Sequence, residues 1–537
     1  MLDSKVNKLK NKKILLVCKE RTSFGMYFLG KQLEKNNNVV HYFFNHHADS
    51  FHKNNFNEGT FFYFKEQIDI ANIHDVKDTY VDFLKNRKNI KINFERLDEI
   101  NRKYTFFNGL NKQLLSSQLI STPYHSIPFV PTNHEENLYW LILNYDKAES
   151  LLEKIKPDFI LDTESGEIQR TIINEIAHYK QIPYINLEDS RYKNFIVPTF
   201  SLGLQVDKYF LDAFNRNKNN IDKYYLGEVE KYRNQSKIMP EIYIGHSAST
   251  YDFSFWETIK FILFKSYKFI RYRLYAIKQK EGKVPFDTPL NQHPIKKILW
   301  NYLFAIRKFY LYSKFNKYFE NPKDEKYVYY PMHYIPESST YIKAPMYMNE
   351  ISLIEAISKS LPISWKLYVK EHQSMIGMRP LDFYKKVKKL QNVKIVKSNY
   401  YKDPKPWIEN SKCVVTITGT TGFEAAMLNK PVIVLGVVFY SVLPGVKFAK
   451  SLNDLENLFK QIETKNLHKD NTIDCAAYLK TIEEVGIGIT SRHLKELSQK
   501  KIVLKNLDET EEKQLEDLIN RLKILYEKSV NIYENSK

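Results

Sequence analysis

Short apolar, β-branched runs alternate with amphipathic segments in the first part of the chain. Such runs predict buried strands, and apolar residues at helical spacing between them predict helices packed on a sheet. The predicted strands lie at 13–18, 39–44, 158–161 and 183–187, with helices ending near residue 35 and at 167–180. The segment from 50 to 145 is polar and irregular, and its elements are not defined by the pattern. The strand–helix–strand order predicts a parallel sheet.

The same alternation returns in the second half of the chain. Its predicted strands lie at 327–330, 366–369, 393–396, 414–418 and 432–435, and its predicted helices include 352–360 and 381–390. Farther on, residues 510–533 carry apolar side chains at helical spacing behind an acidic start, which suits a helix N-terminus. The second half therefore predicts a further α/β domain followed by a helix.

A segment rich in basic and aromatic residues separates the two alternating parts and predicts inserted helices. The predicted fold class is therefore α/β, with two Rossmann-like domains facing a cleft and a helical basic and aromatic insert between them. The predicted units are a first domain, the insert, a second domain and a C-terminal helix, at 1–215, 216–322, 323–505 and 506–537.

Composition narrows the class of protein. A chain of 537 residues with 43% hydrophobic residues is too long for one core, which agrees with two large domains. Three scattered cysteines predict neither a disulfide framework nor a zinc site. The charged N-terminus has too short an apolar run for a signal peptide, and no uncharged apolar run is long enough to span a bilayer. We therefore expect a cytoplasmic protein.

The positive charge is concentrated in the insert. The formal net charge is +19, and residues 256–318 hold 14 Lys and Arg against three acidic residues, together with 16 aromatic residues. Single-stranded nucleic acid would suit cations and aromatics, but no nucleic-acid fold motif accompanies them, so nucleic acid is not expected as a partner. A packed helical insert with a solvated basic face is an alternative. We favour binding to an anionic membrane surface.

The stretch KCVVTITGTTGFEAAMLNKPVIVLG, at 412–436, carries the clearest candidate chemistry. Its pattern predicts a strand, a tight turn, a short helix and another strand. The turn residues Gly419, Thr420, Thr421 and Gly422 would present backbone N–H groups at the positive end of a helix dipole, an arrangement that holds phosphate. An ordinary threonine N-cap is the alternative.

Further polar residues follow the predicted strands of the second half. Because ligands gather at the carboxyl ends of parallel strands, these residues are predicted to share one edge of the sheet. They are His333, Glu337, Lys370, Glu371, His372 and Glu424. Their occurrence together with the glycine loop predicts a ligand site.

In the first half, carboxylates follow the predicted strands: Glu20, Asp162, Glu164 and Glu188. Asp162 and Glu164 are the predicted catalytic groups, because a carboxylate there could serve as general base or orient a sugar hydroxyl. Helix capping by Thr163 or Ser165, with acidic residues in the first turn, is the alternative. No DxD-type metal motif is evident, so we expect no metal and no cofactor. Phosphate charge would instead be neutralised by His, Lys, hydroxyls and a helix dipole.

The segments YVYYPMHYIPESST, LYVKEHQSMIGMRPLDFY and VVTITGTTGFEAAMLNKPVIVLG resemble the capsule polysaccharide biosynthesis family, whose members include bacterial transferases of 3-deoxy-octulosonic acid (Kdo). The resemblance covers about 325–450 and extends weakly to 156–191. It implies that His372 takes the role of the His-Pro motif, with Gln373 at the proline position, and that Thr420 and Thr421 bind the CMP phosphate. By the same resemblance Glu424 contacts the nucleotide ribose.

The expected function is that of a glycosyltransferase of surface polysaccharide synthesis at the inner face of the cell membrane. The donor is a nucleotide-sugar, with CMP-Kdo or a related CMP-sugar suggested by the resemblance, and the acceptor is a lipid-linked or growing glycan. The two domains would then form a GT-B type fold, with 1–215 as the acceptor-side domain and 323–505 as the nucleotide-sugar-binding domain. Alternatives are a teichoic-acid-type glycerol- or ribitol-phosphate transferase, a non-hydrolysing sugar-nucleotide epimerase, and a non-catalytic capsule assembly or export factor.

Overall fold

The computed structural model describes most of both α/β parts and portions of the insert. The described residues are 9–18, 22–45, 69–105, 109–116, 133–163, 168–193, 195–200, 205–238, 256, 258–264, 266–267, 270, 294–335, 338–398, 400–401, 403–464, 470–488 and 509–534.

The first domain is built on a six-stranded sheet of order β3-β2-β1-β4-β5-β6. Its strands are β1 (Lys13–Cys18), β2 (Val39–Phe44), β3 (Ile73–Asp75), β4 (Phe159–Asp162), β5 (Tyr184–Asp189) and β6 (Ile196–Thr199). All neighbouring pairs are parallel except β5 with β6, which is antiparallel. Its helices are α1 (Thr22–Glu34), α2 (Lys77–Asn86), α3 (Phe94–Lys103), α4 (Leu110–Ser116), α5 (His134–Ile155) and α6 (Ile168–Tyr179).

Helix α5 shows why this domain folds as the sequence suggests. Asn133 precedes the helix and accepts a hydrogen bond from the Glu136 N–H, while the Glu136 side chain returns to the Asn133 N–H, which forms a capping box. Lys156 ends the helix in a left-handed conformation with φ of 48°. The chain then enters β4, whose four residues are all buried.

Helices α7 (Lys208–Lys218) and α8 (Lys223–Asn234) lead away from this sheet, and the insert contributes α9 (Pro294–Ser313) and α10 (Phe315–Tyr318). The described residues of 256–270 are also helical. The rings of Phe261 and Phe304 contact each other with centroids 5.7 Å apart, so this segment and α9 lie side by side. Among the described residues, no helix combines the length and apolarity needed to cross a membrane.

The second domain contains a fully parallel six-stranded sheet of order β12-β11-β10-β7-β8-β9. Its strands are β7 (Tyr327–Pro331), β8 (Lys366–Lys370), β9 (Val393–Val396), β10 (Cys413–Thr416), β11 (Val432–Val434) and β12 (Val446–Phe448). Its helices are α11 (Ser338–Tyr341), α12 (Glu350–Ser360), α13 (Leu381–Lys388), α14 (Lys405–Glu409), α15 (Thr420–Met427), α16 (Asp454–Glu463) and α17 (Thr472–Val485), and α18 (Glu509–Glu534) follows.

The chain crosses between the domains more than once. Helices α7 and α8 pack on α17 and share its apolar core in the second domain. Helix α18 returns to the first domain, where Leu515, Leu518 and Leu522 join the core beside α1. The boundary predicted at residue 215 falls inside α7, so by packing α7 and α8 go with the second domain.

The predicted fold class is confirmed: two parallel-dominated sheets are flanked by helices. Both sheets have the doubly wound order in which the direction of winding reverses beside the first strand of the domain, between β1 and β4 and between β7 and β10. Ligands of such sheets bind outside the carboxyl ends of the strands at this reversal.

Candidate functional site

The reversal point of the second sheet brings together two chain segments that are far apart in sequence. His333 follows β7 and Thr416 ends β10, and these two strands are hydrogen-bonded neighbours. The His333 Nε2 atom lies 3.3 Å from the Thr416 hydroxyl and 3.4 Å from the Thr418 backbone nitrogen. The predicted neighbourhood of His333 and the glycine loop is therefore present in the fold.

The glycine loop opens helix α15 as predicted, with Gly419 at the N-cap. The Gly419 N–H donates to the Thr416 hydroxyl at 3.0 Å, and the Gly422 N–H donates to the Gly419 carbonyl at 3.1 Å. Among the described residues, the N–H groups of Thr420 and Thr421 meet no acceptor. A helix start with two unpaired N–H groups is suited to binding an anion.

Close packing around the loop explains its two glycines. A Cβ at Gly419 would come within 2.6 Å of the Thr416 hydroxyl, and one at Gly422 within 2.5 Å of the Tyr440 hydroxyl. The Tyr440 hydroxyl itself donates to the Gly419 carbonyl at 2.6 Å. Thr416 and Tyr440 therefore fix the loop from opposite ends, and side chains at the glycines would displace them.

His333 is a neutral hydrogen-bonding group in this position. Burial, followed by the neighbouring His372 and Arg379, lowers its pKa to about 3. Because the Thr418 N–H donates to Nε2, the ring proton is assigned to Nδ1. The buried Nδ1 has no hydrogen-bond partner among the described residues. A buried donor without an acceptor costs free energy, and a bound acceptor would satisfy it.

His372 follows β8, next along the same edge of the sheet. Its ring is exposed, and its Nδ1 accepts from the Ser374 N–H at 3.3 Å. The ring also contacts that of Tyr334, with centroids 5.7 Å apart. Partial desolvation, with the charges of Arg379 and Lys370, lowers the pKa of His372. The ring is therefore neutral at neutral pH, and its Nε2 is the donor.

A buried ion network lies beneath the two histidines. Arg379 is fully buried and binds Glu350 through Nε at 2.8 Å, Glu371 through Nη1, and the His333 carbonyl through Nη2 at 2.9 Å. The Tyr384 hydroxyl donates to Glu371 at 2.7 Å. Burial raises the pKa of both glutamates, and Arg379 opposes this. Glu371 is therefore a supporting residue, which holds the loops that carry the histidines.

Glu424 and Lys370 form a second ionisable pair of groups beside the glycine loop. Glu424 is 7% exposed, and its Oε2 has no hydrogen-bond partner among the described residues. Burial raises its pKa to about 7, Asp403 adds to this, and Lys370 and Arg191 oppose it. Burial lowers the pKa of Lys370 to about 8, against the attraction of Glu424 and Asp403. A carboxyl poised near neutral pH can bind a hydroxyl as acceptor or as donor.

In the first domain, Asp162 ends β4 but is enclosed by protein. Its side chain is fully buried. The carboxylate accepts hydrogen bonds from the Arg170 Nε at 2.7 Å, from the Thr163 N–H at 2.7 Å and from the Tyr184 hydroxyl. These contacts favour a structural role for Asp162. The catalytic role stays a prediction that this geometry does not support.

Glu188, at the end of β5, lies where the domains meet. Both of its oxygens bind the Lys343 ammonium group, at 2.8 and 2.7 Å, and Lys343 belongs to the second domain. The two side chains are 14% and 11% exposed, respectively. The Asn186 amide also donates to Glu188, at 3.2 Å. Glu188 is therefore a carboxylate held at the boundary of the cleft by a cation of the opposite domain.

The remaining predicted residues, Glu20, Glu164 and Glu337, lie outside the described residues. Within the part of the chain that the structure describes, no cluster of His, Cys, Asp and Glu is arranged to hold a metal ion. Sequence reasoning misses Arg379, Glu350 and Lys343. No sequence signal distinguishes these charged residues from solvated ones, since Glu350 lies 29 residues from Arg379 and Glu188 lies 155 residues from Lys343.

No curated protein sequence matches the chain. The β-Kdo 2,7-transferase KpsC of Thermosulfurimonas dismutans aligns over 58% of this chain and 78% of its own, at 13% identity and a TM-score of 0.30. The UDP-GlcNAc 2-epimerase of Neisseria meningitidis bound to UDP-GlcNAc aligns over 88% of this chain and 99% of its own, at 13% identity and a TM-score of 0.23. MnaA of S. aureus with UDP aligns over 88% of this chain and 94% of its own, at 13% identity and a TM-score of 0.26.

A family model described as capsule polysaccharide biosynthesis protein matches residues 296–479. This stretch contains all six strands of the second sheet, β7 to β12, and the glycine loop, and so the whole reversal point of that sheet. The resemblance to the capsule polysaccharide biosynthesis family that the sequence motifs indicated is thereby confirmed over 296–479.

Proposed function

We propose that the protein is a glycosyltransferase of capsular polysaccharide synthesis that uses a nucleotide-sugar as donor. The observation that carries the proposal lies at the reversal point of the second sheet. There neutral His333 meets the glycine loop, whose Thr420 and Thr421 N–H groups have no acceptor among the described residues. Neutral N–H donors suit the phosphate of a nucleotide, because they neither gain nor lose a proton near neutral pH. The family match supports a role in capsule synthesis.

In the proposed complex, the donor lies across the carboxyl edge of the second sheet. Its phosphate accepts hydrogen bonds from the glycine loop, the threonine hydroxyls and His372, and its ribose hydroxyls meet Glu424. We propose a CMP-linked sugar, Kdo or a related one, because the motif around His372 resembles that of CMP-sugar transferases. The carboxyl of Glu424, with a pKa of about 7, can exchange hydrogen bonds with a ribose hydroxyl in either protonation state.

The acceptor is proposed to be a lipid-linked or growing glycan that enters from the first domain. A carboxylate from that domain would remove the proton of the acceptor hydroxyl as the acceptor oxygen bonds to the donor sugar, while the bond from the sugar to the phosphate breaks and CMP leaves. Glu188 is the described carboxylate best positioned for contact with the second domain, since it already touches Lys343. Asp162 is fully engaged inside its own domain, which makes it the weaker candidate.

Nucleotide binding by single variants tests the donor site. Thr421→Val and His372→Ala each remove one charge-assisted hydrogen bond, worth roughly 1.5–3 kcal/mol, so calorimetric affinity for CMP should fall by about tenfold or more. Thr464→Val, at the far end of α16, is the matched control. Titration with UDP and CDP identifies the base. Wild-type affinity in both site variants would reject this site.

Turnover separates the proposal from its alternatives. Hydrolysis of a CMP-sugar in the absence of acceptor, abolished by Glu188→Gln with nucleotide affinity preserved, is the expected result for a transferase. Interconversion of UDP-linked sugars would indicate an epimerase, and transfer from CDP-glycerol or CDP-ribitol a teichoic-acid-type enzyme. Glycan binding without turnover would indicate an assembly factor.

We further propose that the protein works at the inner face of the cell membrane, through an apolar face on the insert. We define the apolar face as the exposed large apolar side chains of 256–270 and α9: Trp256, Leu263, Phe264, Tyr267, Ile270, Leu299, Tyr302, Leu303 and Ile306. They recur at helical spacing in both segments, so each segment presents one apolar side. Exposed apolar surface flanked by cations suits an anionic lipid surface.

Vesicle sedimentation tests this partner. The double variant Leu299→Ser, Ile306→Ser removes two large apolar contacts, each worth roughly 1.5–3 kcal/mol when fully buried, so binding to anionic vesicles should weaken by at least about tenfold. Ile363→Ser changes a fully exposed isoleucine of the second domain and is the control. Equal recovery of the wild type with neutral and anionic vesicles at low salt would reject the membrane. Loss of a dimer in the double variant would assign the face to self-association.

A further inference from the structure

The loop that follows β5 is fastened to the second domain at both of its ends. At its start, Glu188 binds the Lys343 ammonium group at 2.7 Å. At its end, the Lys193 ammonium group binds Glu483 of α17 at 2.6 Å. Tyr192, beside it, packs on the apolar core of the second domain. The residues between these anchors therefore lie along the boundary between the domains.

Arg191 occupies the turn of this loop in an unusual conformation. Its φ is 65°, in the left-handed region that side chains other than Gly and Asn rarely adopt. The Arg191 N–H donates to the Asp189 carboxylate at 3.0 Å, and its guanidinium lies 3.6 Å from the same carboxylate. Backbone strain of this type persists where the surrounding structure fixes it, and it is common at ligand sites.

The charge of Arg191 acts on residues of the second domain that surround the glycine loop. Burial raises the pKa of Glu424, Tyr440 and Tyr478, and the positive charge of Arg191 lowers each of these pKa values in part. Tyr440 is the residue whose hydroxyl holds the Gly419 carbonyl at 2.6 Å. Tyr192, next to Arg191 in the chain, packs on the apolar core that contains Phe423 and Tyr440, so the turn that carries Arg191 lies against the same core as α15.

We propose that Arg191 is a donor-binding residue supplied by the first domain, whose guanidinium binds the phosphate held by the loop Gly419–Gly422. The proposal rests on the proposed function, since it concerns the same nucleotide. A guanidinium presents paired N–H donors that match two phosphate oxygens, which an ammonium group cannot do. The donor would thus join both domains through one phosphate, and its binding would favour the closed cleft.

Calorimetry with wild type, Arg191→Gln and Arg191→Lys tests the proposal, with CMP and cytidine as ligands. Arg191→Gln should weaken CMP binding by about tenfold or more, and the CMP affinity of Arg191→Lys should lie between those of the wild type and Arg191→Gln. The affinity for cytidine should stay the same in both variants, because Arg191 contacts only the phosphate. The salt dependence of CMP binding should also decrease in Arg191→Gln. Arg216→Gln, at an exposed pair with Glu484 within the second domain, is the control for loss of one arginine charge away from the site.

The outcomes separate this inference from the proposed function. If the wild type binds CMP and Arg191→Gln binds it equally well, Arg191 does not contact the phosphate and the inference fails alone. If CMP and cytidine affinities fall together, Arg191 supports the fold of the cleft instead of the phosphate, and the inference fails as well. If the wild type binds neither CMP, UDP nor CDP, the nucleotide site itself is wrong.

Discussion

Glu424→Gln measures how much a buried carboxyl group costs the stability of the fold. One oxygen of this carboxyl, Oε2, has no hydrogen-bond partner among the described residues. The glutamate lies one turn into α15, is 7% exposed and faces Lys370 without forming an ion pair within 4 Å among the described contacts. Glutamine has almost the same shape and cannot ionise. The substitution therefore removes the cost of a buried negative charge and leaves the packing unchanged.

The magnitude and sign follow from the pKa. A rise of the Glu424 pKa from the ordinary value of 4.5 to about 7 corresponds to roughly 3 kcal/mol between the two protonation states. Because the native carboxyl holds its proton more tightly than the unfolded one, its contribution is fully present below about pH 4.5 and is lost as the pH rises to about 7. Glu424→Gln should therefore match the wild type near pH 4.5 and exceed its stability above pH 7 by up to about 3 kcal/mol.

Urea unfolding at about pH 5 and about pH 8 measures this difference, because the two proteins share every other titrating group. Glu456→Gln, at an exposed position of α16, controls for loss of one negative charge in the same domain. The expected result is a larger advantage of Glu424→Gln over the wild type at the higher pH, with no such change for the control. The same difference at both pH values would show that the Glu424 carboxyl is compensated in the folded protein, and the reasoning would fail.

Three further perturbations probe the support of the site. Arg379→Met leaves two buried carboxylates without their cation and should lower the free energy of unfolding of the second domain by about 3–5 kcal/mol in urea. Arg379→Lys should recover only part of that loss, and a loss below about 1 kcal/mol in Arg379→Met would show that the ion network does not stabilise the domain. Gly422→Ala should cost about 1–3 kcal/mol through contact with the Tyr440 hydroxyl, and the same substitution in a Tyr440→Phe background should cost less; equal costs would place the strain elsewhere. Lys343→Ala removes the pair with Glu188 and should enlarge the radius of gyration in small-angle X-ray scattering, whereas an unchanged radius would show that this pair does not hold the domains together.

The sheet cores were predictable because parallel strands covered on both faces are continuous apolar runs. The predicted strands 13–18, 39–44 and 393–396 coincide with β1, β2 and β9, and the others differ by one or two residues at one or both ends. The short strands β3 and β12 lack such runs, since each has three residues and only partial burial, so the pattern gives no signal for them. Helices between 50 and 145 were not located, because their positions depend on packing against α5.

The site was predictable where chemistry follows a strand directly, and less so where it depends on distant partners. The glycine loop and His333 meet because β7 and β10 are neighbours, which the strand–helix alternation implies. The enclosure of Asp162 by Arg170 was not predictable. Arg170 lies in α6, the helix that follows β4, and the sequence does not distinguish a buried arginine from an exposed one. A strand-end carboxylate thus has the same local sequence whether it faces the cleft or its own core.

The electrostatics of the second domain explain why cations from elsewhere matter to the proposed chemistry. Its histidines are neutral, and the positive charge of Arg379 is already matched by two glutamates, so neither offers surplus charge to a phosphate. Lys370 has a pKa lowered to about 8 by burial and stands near Glu424. What remains are the dipole of α15, the hydroxyls, and cations at the domain boundary. Two such cations lie at this boundary: Lys343, which is held by Glu188, and Arg191, whose guanidinium lies 3.6 Å from the Asp189 carboxylate. A domain that binds an anion mainly through neutral donors would then release it readily once the domains separate, which suits an enzyme that must discharge its nucleotide after each transfer.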